Sequence, residues 1–322
     1  MNTLWDKVVY RLLFCELPKG RKRVKILHVA VFDNKGISAD TSAAMALSNN
    51  ENVSKVIGYN YRQKVINQDI SSRDDELINL CKTENPDLVF FVKCNSIHLR
   101  VFEECKKICP IAYWFADPLV TFLSHPEFSE KAKASDCVFV DKENVFDEIK
   151  TYNDKVFIVP DGFDAKMEYP VQTETQDLDV SFIGQLYGDR LEKVKKITYP
   201  VSVISNVYGF KHARAVAKSK INLNFCTSDG PSNRVYKVLA SKGFLLSDDW
   251  HGREEHFEDG KHLVIFNDMD DLNEKIKYYL SNEKERNKIA KKGHSVSHKY
   301  TRDVWAAKCL EILKTNNIVK AR

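Results

Sequence analysis

In the stretch CTSDGPSNRVYKVLASKG, from Cys226 to Gly243, residue types suited to holding a phosphorylated ligand stand close together. Asp229 supplies an acid, Gly230-Pro231 a turn, and Ser232 a cap oxygen for a helix opening at Asn233. The free N–H groups at such a helix start suit a diphosphate, and Arg234 adds a forked cation beside them. Lys237 sits one turn further in. Local features alone fit an ordinary strand-turn-helix with Arg234 and Lys237 solvated equally well.

Other chemistry-bearing positions also fall where strands end. In DVSFIGQLYGDRLEKVKKI, Gly184 lets the backbone approach a ligand, and Arg190 enters the next helix early enough to reach a phosphate. In AYWFADPLVTF, Asp117 stands where the chain leaves a strand, with Pro118 preventing its continuation. Asp117 there is either a base for a hydroxyl nucleophile or the cap of a turn. After VAVF, the loop DNKGISADTSAAMAL offers Gly36 for an unusual turn, with Ser38, or Asp40 to Ser42, as helix cap. Neither G-x-G-x-x-G nor G-x-x-x-x-G-K-[ST] occurs, so dinucleotide and P-loop fingerprints are absent.

No metal is expected. DMDD at 268–271 reads as helix capping, with Asp271 as the N-cap and Glu274 completing a capping box. Cys105 and Cys109 lack a second ligand pair for zinc. The sets His251, His256, His262 and His294, His298 match no H-E-x-x-H pattern and read as surface residues.

The elements that must position these residues alternate. From Val24, the apolar runs 24–32, 54–60, 87–93, 111–115, 136–141 and 155–160 are separated mostly by segments of helical period. An acidic, Gln/Thr/Glu-rich stretch at 161–179 reads as an exposed linker. A second alternating series follows, with runs at 179–184, 199–205, 221–225, 243–248 and 262–267, and the chain then turns helical. This order implies two doubly wound α/β domains in tandem. The expected boundaries are an amphipathic, basic segment 1–23, domains 24–170 and 171–300, and a closing helix 301–322 that could return to the first domain.

Composition supports two cores and limits the partners. The 322 residues are 43% hydrophobic, and 49 basic against 45 acidic residues give a formal charge of only +4. No global field demands a polyanion, so nucleic-acid binding would need a local patch. The eight cysteines lie mostly in apolar segments and read as reduced thiols of a cytosolic protein. No apolar run is long enough to span a bilayer. The N-terminal helical pattern, Leu4, Trp5, Val8, Val9, Leu12 and Leu13, ends in a basic cluster, Lys19 to Lys25. It either packs on the body or lies on an anionic membrane, placing the protein at the inner face.

Together VPDGFD, DVSFIGQLYGDR, SKINLNF, NRVYKVLASKGFLLSDD and RDVWAAKCLEIL resemble the GT-B glycosyltransferases, most closely the spore-maturation CgeB-like group. The likeness covers most of 85–315 and is specific in 180–300. It implies two Rossmann-like domains facing a cleft, with a nucleotide-sugar donor, such as a UDP-sugar, on the second and a glycan or lipid-linked acceptor on the first. It also implies chemistry without cofactor or metal, since cations and helix amides neutralise the leaving diphosphate. By position it assigns Gly184, Arg190, Ser232, Asn233, Arg234 and Lys237 to the donor, Asp117 and Asp229 to catalysis, and the Gly36–Ser38 loop to the acceptor side. Where relatives carry a second acid for ribose, this chain has Lys237, which cannot accept hydrogen bonds from a diol. Other groups then hold the ribose, or Lys237 binds a further anionic group, or donor binding has been lost. The implied function is glycosyl transfer in glycan biosynthesis. Transfer to hydroxymethylated DNA bases and a non-catalytic binding protein are the alternatives.

Overall fold

The computed structural model describes residues 23–33, 38–63, 69–172, 175–226 and 230–319. Segment 1–22, Gly36 and Asp229 lie outside the described residues, as does Cys15. Among the described residues, the first sheet contains β1 (Val24–Ala30), β2 (Val53–Asn60), β3 (Leu88–Val92), β4 (Ile111–Phe115), β5 (Cys137–Val140) and β6 (Val156–Ile158). The second contains β7 (Leu178–Ile183), β8 (Ser202–Ile204), β9 (Ser219–Asn224), β10 (Leu245–Asp248) and β11 (Val264–Phe266). Strand order is β2-β1-β3-β4-β5-β6 in the first and β11-β10-β9-β7-β8 in the second. All pairings are parallel. The chain is thus an α/β protein of two doubly wound sheets, with its strands at the apolar runs of the sequence.

The first domain's helices are α1 (Ala39–Asn49), α2 (Ile70–Glu84), α3 (Leu99–Lys106), α4 (Leu119–Leu123), α5 (Pro126–Ala134) and α6 (Glu143–Ile149). Then come α7 (Arg190–Lys195), α8 (Phe210–Lys218), α9 (Asn233–Ala240), α10 (Met269–Ser281), α11 (Glu283–Ser297) and α12 (Arg302–Thr315). Helices on both faces explain why LVFFV in β3 and IAYWF in β4 are apolar at every position, since every residue is buried. Leu77 of α2 and Phe102 of α3 pack with Phe91 and Tyr113 on one face. On the other, Ala46 of α1 and Trp305, Cys309 and Leu313 of α12 pack with Phe90, Trp114 and Phe139. The closing helix therefore belongs to the first domain's core, with Trp305 edge-on to Trp114 at 5.2 Å.

Two expectations change. The linker is pinned rather than loose, because Asp161, Phe163 and Glu168 are buried. Phe163 N–H donates to the Tyr300 carbonyl at 3.0 Å and Arg302 N–H to the Phe163 carbonyl at 2.8 Å, so outgoing and returning strands of chain lie side by side. A partner so distant in sequence leaves no local signature. The second correction concerns α10, whose N-cap is Asp268 and not Asp271. Asp268 has the extended backbone a cap requires and accepts from the Asp270 and Asp271 amides, while Asp271 accepts from Asn267 and Lys275.

Gly162 fixes this double crossing. Its φ is +73°, and a Cβ there would lie 2.1 Å from the Tyr300 carbonyl oxygen. Gly162→Ala is expected to cost at least about 2 kcal/mol, from left-handed strain plus that collision. Urea denaturation reads the cost directly, and an unchanged midpoint would show that the crossing yields easily.

Candidate functional site: facing sheet ends and an arginine pair

In the second sheet β7 lies between β8 and β9, so the winding reverses there and the strand ends splay into a crevice. Gly184 closes β7, and a Cβ at this position would lie 2.3 Å from Arg234 Nη2. Arg234, from the first turn of α9, donates Nε to the Ile183 carbonyl at 2.7 Å and Nη1 to Asn224 Oδ1 at 2.8 Å. Its guanidinium lies 4.3 Å from the Phe182 ring centre. Arg190, opening α7, donates Nε and Nη2 to the Phe225 carbonyl at 3.2 and 2.9 Å and lies 4.4 Å from the Tyr187 ring centre.

Both arginines are buried. Burial, and next the Arg190 charge, press Arg234 down to about 10. Its hydrogen bonds go to neutral oxygens, and it forms no ion pair among the described residues. Two buried cations stand close together at the strand ends, and Arg234 has no carboxylate partner among the described residues.

The neighbouring expected residues divide. Ser232 occupies the N-cap position of α9, but its side chain makes no capping bond and donates instead to Asn224 Oδ1 at 2.8 Å. Asn233 reaches across to Asp161 of the first domain. Lys237 pairs with Glu168 at 3.4 Å, and Glu168 is 3% exposed. The residue that departs from the resembled pattern thus neutralises a buried acid of the linker.

Opposite lie the carboxyl ends of the first sheet. Asp117 follows β4 and accepts from Lys93 Nζ at 2.7 Å and from Asn95 Nδ2 at 3.4 Å. Lys93 and Cys94 both have positive φ, 58° and 54°, which turns the chain sharply after β3. Burial opposes the Lys93 charge, yet Asp117, Asp40 and Asp161 hold its pKa above the ordinary value. Ser38 is the N-cap of α1, accepting from the Thr41 amide at 3.1 Å. Among the histidines, His256 is not a surface residue. It is half-buried against Phe257 and Tyr300.

Sequence reasoning passed over the polar residues between the domains. Asp141 follows β5 and pairs with Lys142 Nζ at 2.5 Å, while Lys142 also donates to the Ala116 carbonyl at 3.0 Å. The Lys142 stem lies against Gly230, where a Cβ would come within 2.4 Å of it. Asp161, just after β6, is bonded by Arg302 at the start of α12. The signal was present, since both aspartates sit beside a strand end. Their acidity shifts oppositely. Burial pushes Asp141 up to about 6, against Lys142 and with Asp161. Burial would also raise Asp161, but Arg302, Asn233 and Lys142 bring it below the ordinary carboxylate value.

A pH dependence follows for Asp141. Its folded-state value exceeds the unfolded value near 4, so its stabilising contribution is full below about 4 and is lost as pH rises through about 6. Denaturation at several pH values should reveal this component in the wild type and lose it in Asp141→Asn. Identical pH profiles for both would exclude it.

Two parallel-sheet domains with their ligand-binding ends turned toward each other define the GT-B fold. Residues 168–311, which contain the arginine pair, match the glycosyl transferase-like family model. HepE from Anabaena, solved with UDP and glucose, superposes with a TM-score of 0.66 at 10% identity, covering 91% of this chain and 100% of that one. Sucrose-phosphate synthase from Thermosynechococcus elongatus gives 0.63 at 10% identity, covering 92% and 100%. A Listeria monocytogenes protein described as a UDP-N-acetylglucosamine 2-epimerase gives 0.61 at 12%, covering 92% and 97%. No curated protein matches the sequence significantly. Among the described residues no helix is long and apolar enough to cross a membrane.

Proposed function

We propose that this protein is a glycosyltransferase that moves a sugar from a nucleoside-diphosphate sugar to a hydroxyl acceptor of a glycan intermediate. The observation that carries this reading is the Arg190–Arg234 pair beneath Gly184, at the reversal of the second sheet. A diphosphate there supplies the missing counter-charge, and its departure as a leaving group is eased by the same two cations. Fold alone does not choose between transfer and epimerisation, because similar structures carry both descriptions. The family match over 168–311 favours transfer. In this reading the guanidiniums do the work of a metal ion, so turnover proceeds fully in EDTA.

The alternatives find less support. Lys237 pairs with Glu168, which gives a lysine at this position a structural reason that does not require lost donor binding. A DNA acceptor would need cations to track its phosphates, and two lysines of the basic run 192–196 are engaged within the protein: Lys193 with Asp189 and Asp248, and Lys195 with Glu192.

A panel of UDP-, GDP-, dTDP- and CMP-sugars, with the free nucleotides, tests the proposal. The matching nucleotide at a hundred times its Kd should stabilise the fold by about 2.7 kcal/mol, raising Tm by roughly 5 °C. Its sugar donor should be slowly hydrolysed. Absence of both responses across the panel would refute the reading.

A further inference from the structure

The loop after β3 carries a second arrangement that the donor site does not use. Arg73 and Asp74, in the first turns of α2, are completely buried. Asp74 Oδ1 accepts from Arg73 Nε at 2.9 Å and Nη2 at 2.5 Å, and Arg73 Nη1 continues to Ser96 Oγ at 3.1 Å. Asp74 Oδ2 lies 3.3 Å from the His98 amide and 2.7 Å from His98 Nδ1. The His98 side chain itself is 46% exposed. A carboxylate already held by an arginine only accepts, so the neutral imidazole carries its proton on Nδ1. Its lone pair is then on Nε2, which has no hydrogen-bond partner among the described residues.

His98 is the N-cap of α3 and so lies at the ligand-binding edge of the first sheet. Asn95, which holds Asp117, is three residues away, placing the two Cα atoms within roughly 10 Å of each other. Both oxygens of Asp117 are engaged, by Lys93 and Asn95. We propose that His98 is the base that takes the acceptor's hydroxyl proton, with Asp74 as its positioning residue. This assignment rests on the glycosyl-transfer reading. The acceptor oxygen bonds to the anomeric carbon and the bond from that carbon to the phosphate oxygen breaks. The diphosphate leaves with the electron pair, and the hydroxyl proton passes to His98 Nε2. The resulting imidazolium faces Asp74. Arg73 shares Asp74 with it, and near it in the chain Arg100 of α3 pairs with Asp75 of α2 at 2.7 Å and Lys93 with Asp117.

The test has two readouts on the full chain. Imidazole nitrogen NMR should show the Nδ1–H tautomer for His98 at neutral pH, and Asp74→Asn should abolish that preference. With the donor found by the panel, His98→Gln should lower kcat about 100-fold. Nucleotide Kd should stay within twofold, and the acidic limb of the kcat profile should disappear. Because His98 is exposed, this variant is expected to fold even if Asp74→Asn does not. An Nε2–H tautomer, or equal kcat in wild type and His98→Gln, would overturn the assignment alone. Silence of both proteins with every donor would overturn the transfer reading and the assignment with it.

Discussion

Arg234→Met is expected to weaken nucleotide binding at least about 100-fold, the equivalent of losing one or two charge-assisted hydrogen bonds. Methionine keeps the apolar stem over Phe182 but removes the bonds to Ile183 and Asn224. Folding stability should fall by only about 1–2 kcal/mol. The orphaned Ile183 carbonyl costs stability, while relief of repulsion from Arg190 offsets part of it, and Ser232 still donates to Asn224. Arg234→Lys should lie between, because it keeps the charge but not the fork. Calorimetric titration with the matching nucleotide, alongside Tm, separates the two effects. A Kd within threefold of wild type would make Arg234 purely a strut between β7 and β9.

Arg302→Met should cost far more stability, about 3–5 kcal/mol, because it strands Asp161 as an unpaired buried acid. Both residues are buried, and they tie the linker to the helix that returns to the first domain. The sign of the pH effect is fixed by Asp161. Its folded value is depressed in the wild type, so its stabilisation is present above the unfolded value near 4 and lost as pH falls through the folded value. In the variant burial dominates, and the acid favours its proton instead. The stability gap between the proteins should therefore be widest at neutral pH and narrow below about 4. A gap independent of pH would mean that Arg302 acts through packing on Trp305, which its guanidinium approaches at 5.9 Å.

The alternation of apolar runs and helical segments was enough to place eleven strands in two sheets. A strand buried on both faces must be apolar along its length, and a helix between strands must show a period near 3.6, so each element writes its own environment locally. That Gly184, Arg190 and Arg234 stand where a strand feeds a helix was readable for a similar reason. Their actual partners were not. Arg190 on the Phe225 carbonyl, Arg234 against Gly184 and Lys237 on Glu168 each join segments separated by tens of residues. His98 was overlooked because nothing near it in sequence announces Asp74, which sits on a different helix.

The sequence by itself determined the elements, their order and the strand ends at which chemistry could occur, because these depend on neighbours along the chain. Only the tertiary structure decided which cations lie together, which acids are neutralised and that Asp74 meets the His98 imidazole. Those outcomes depend on burial and on contacts between remote segments, and charge energetics in a low-dielectric interior are set by distance in space.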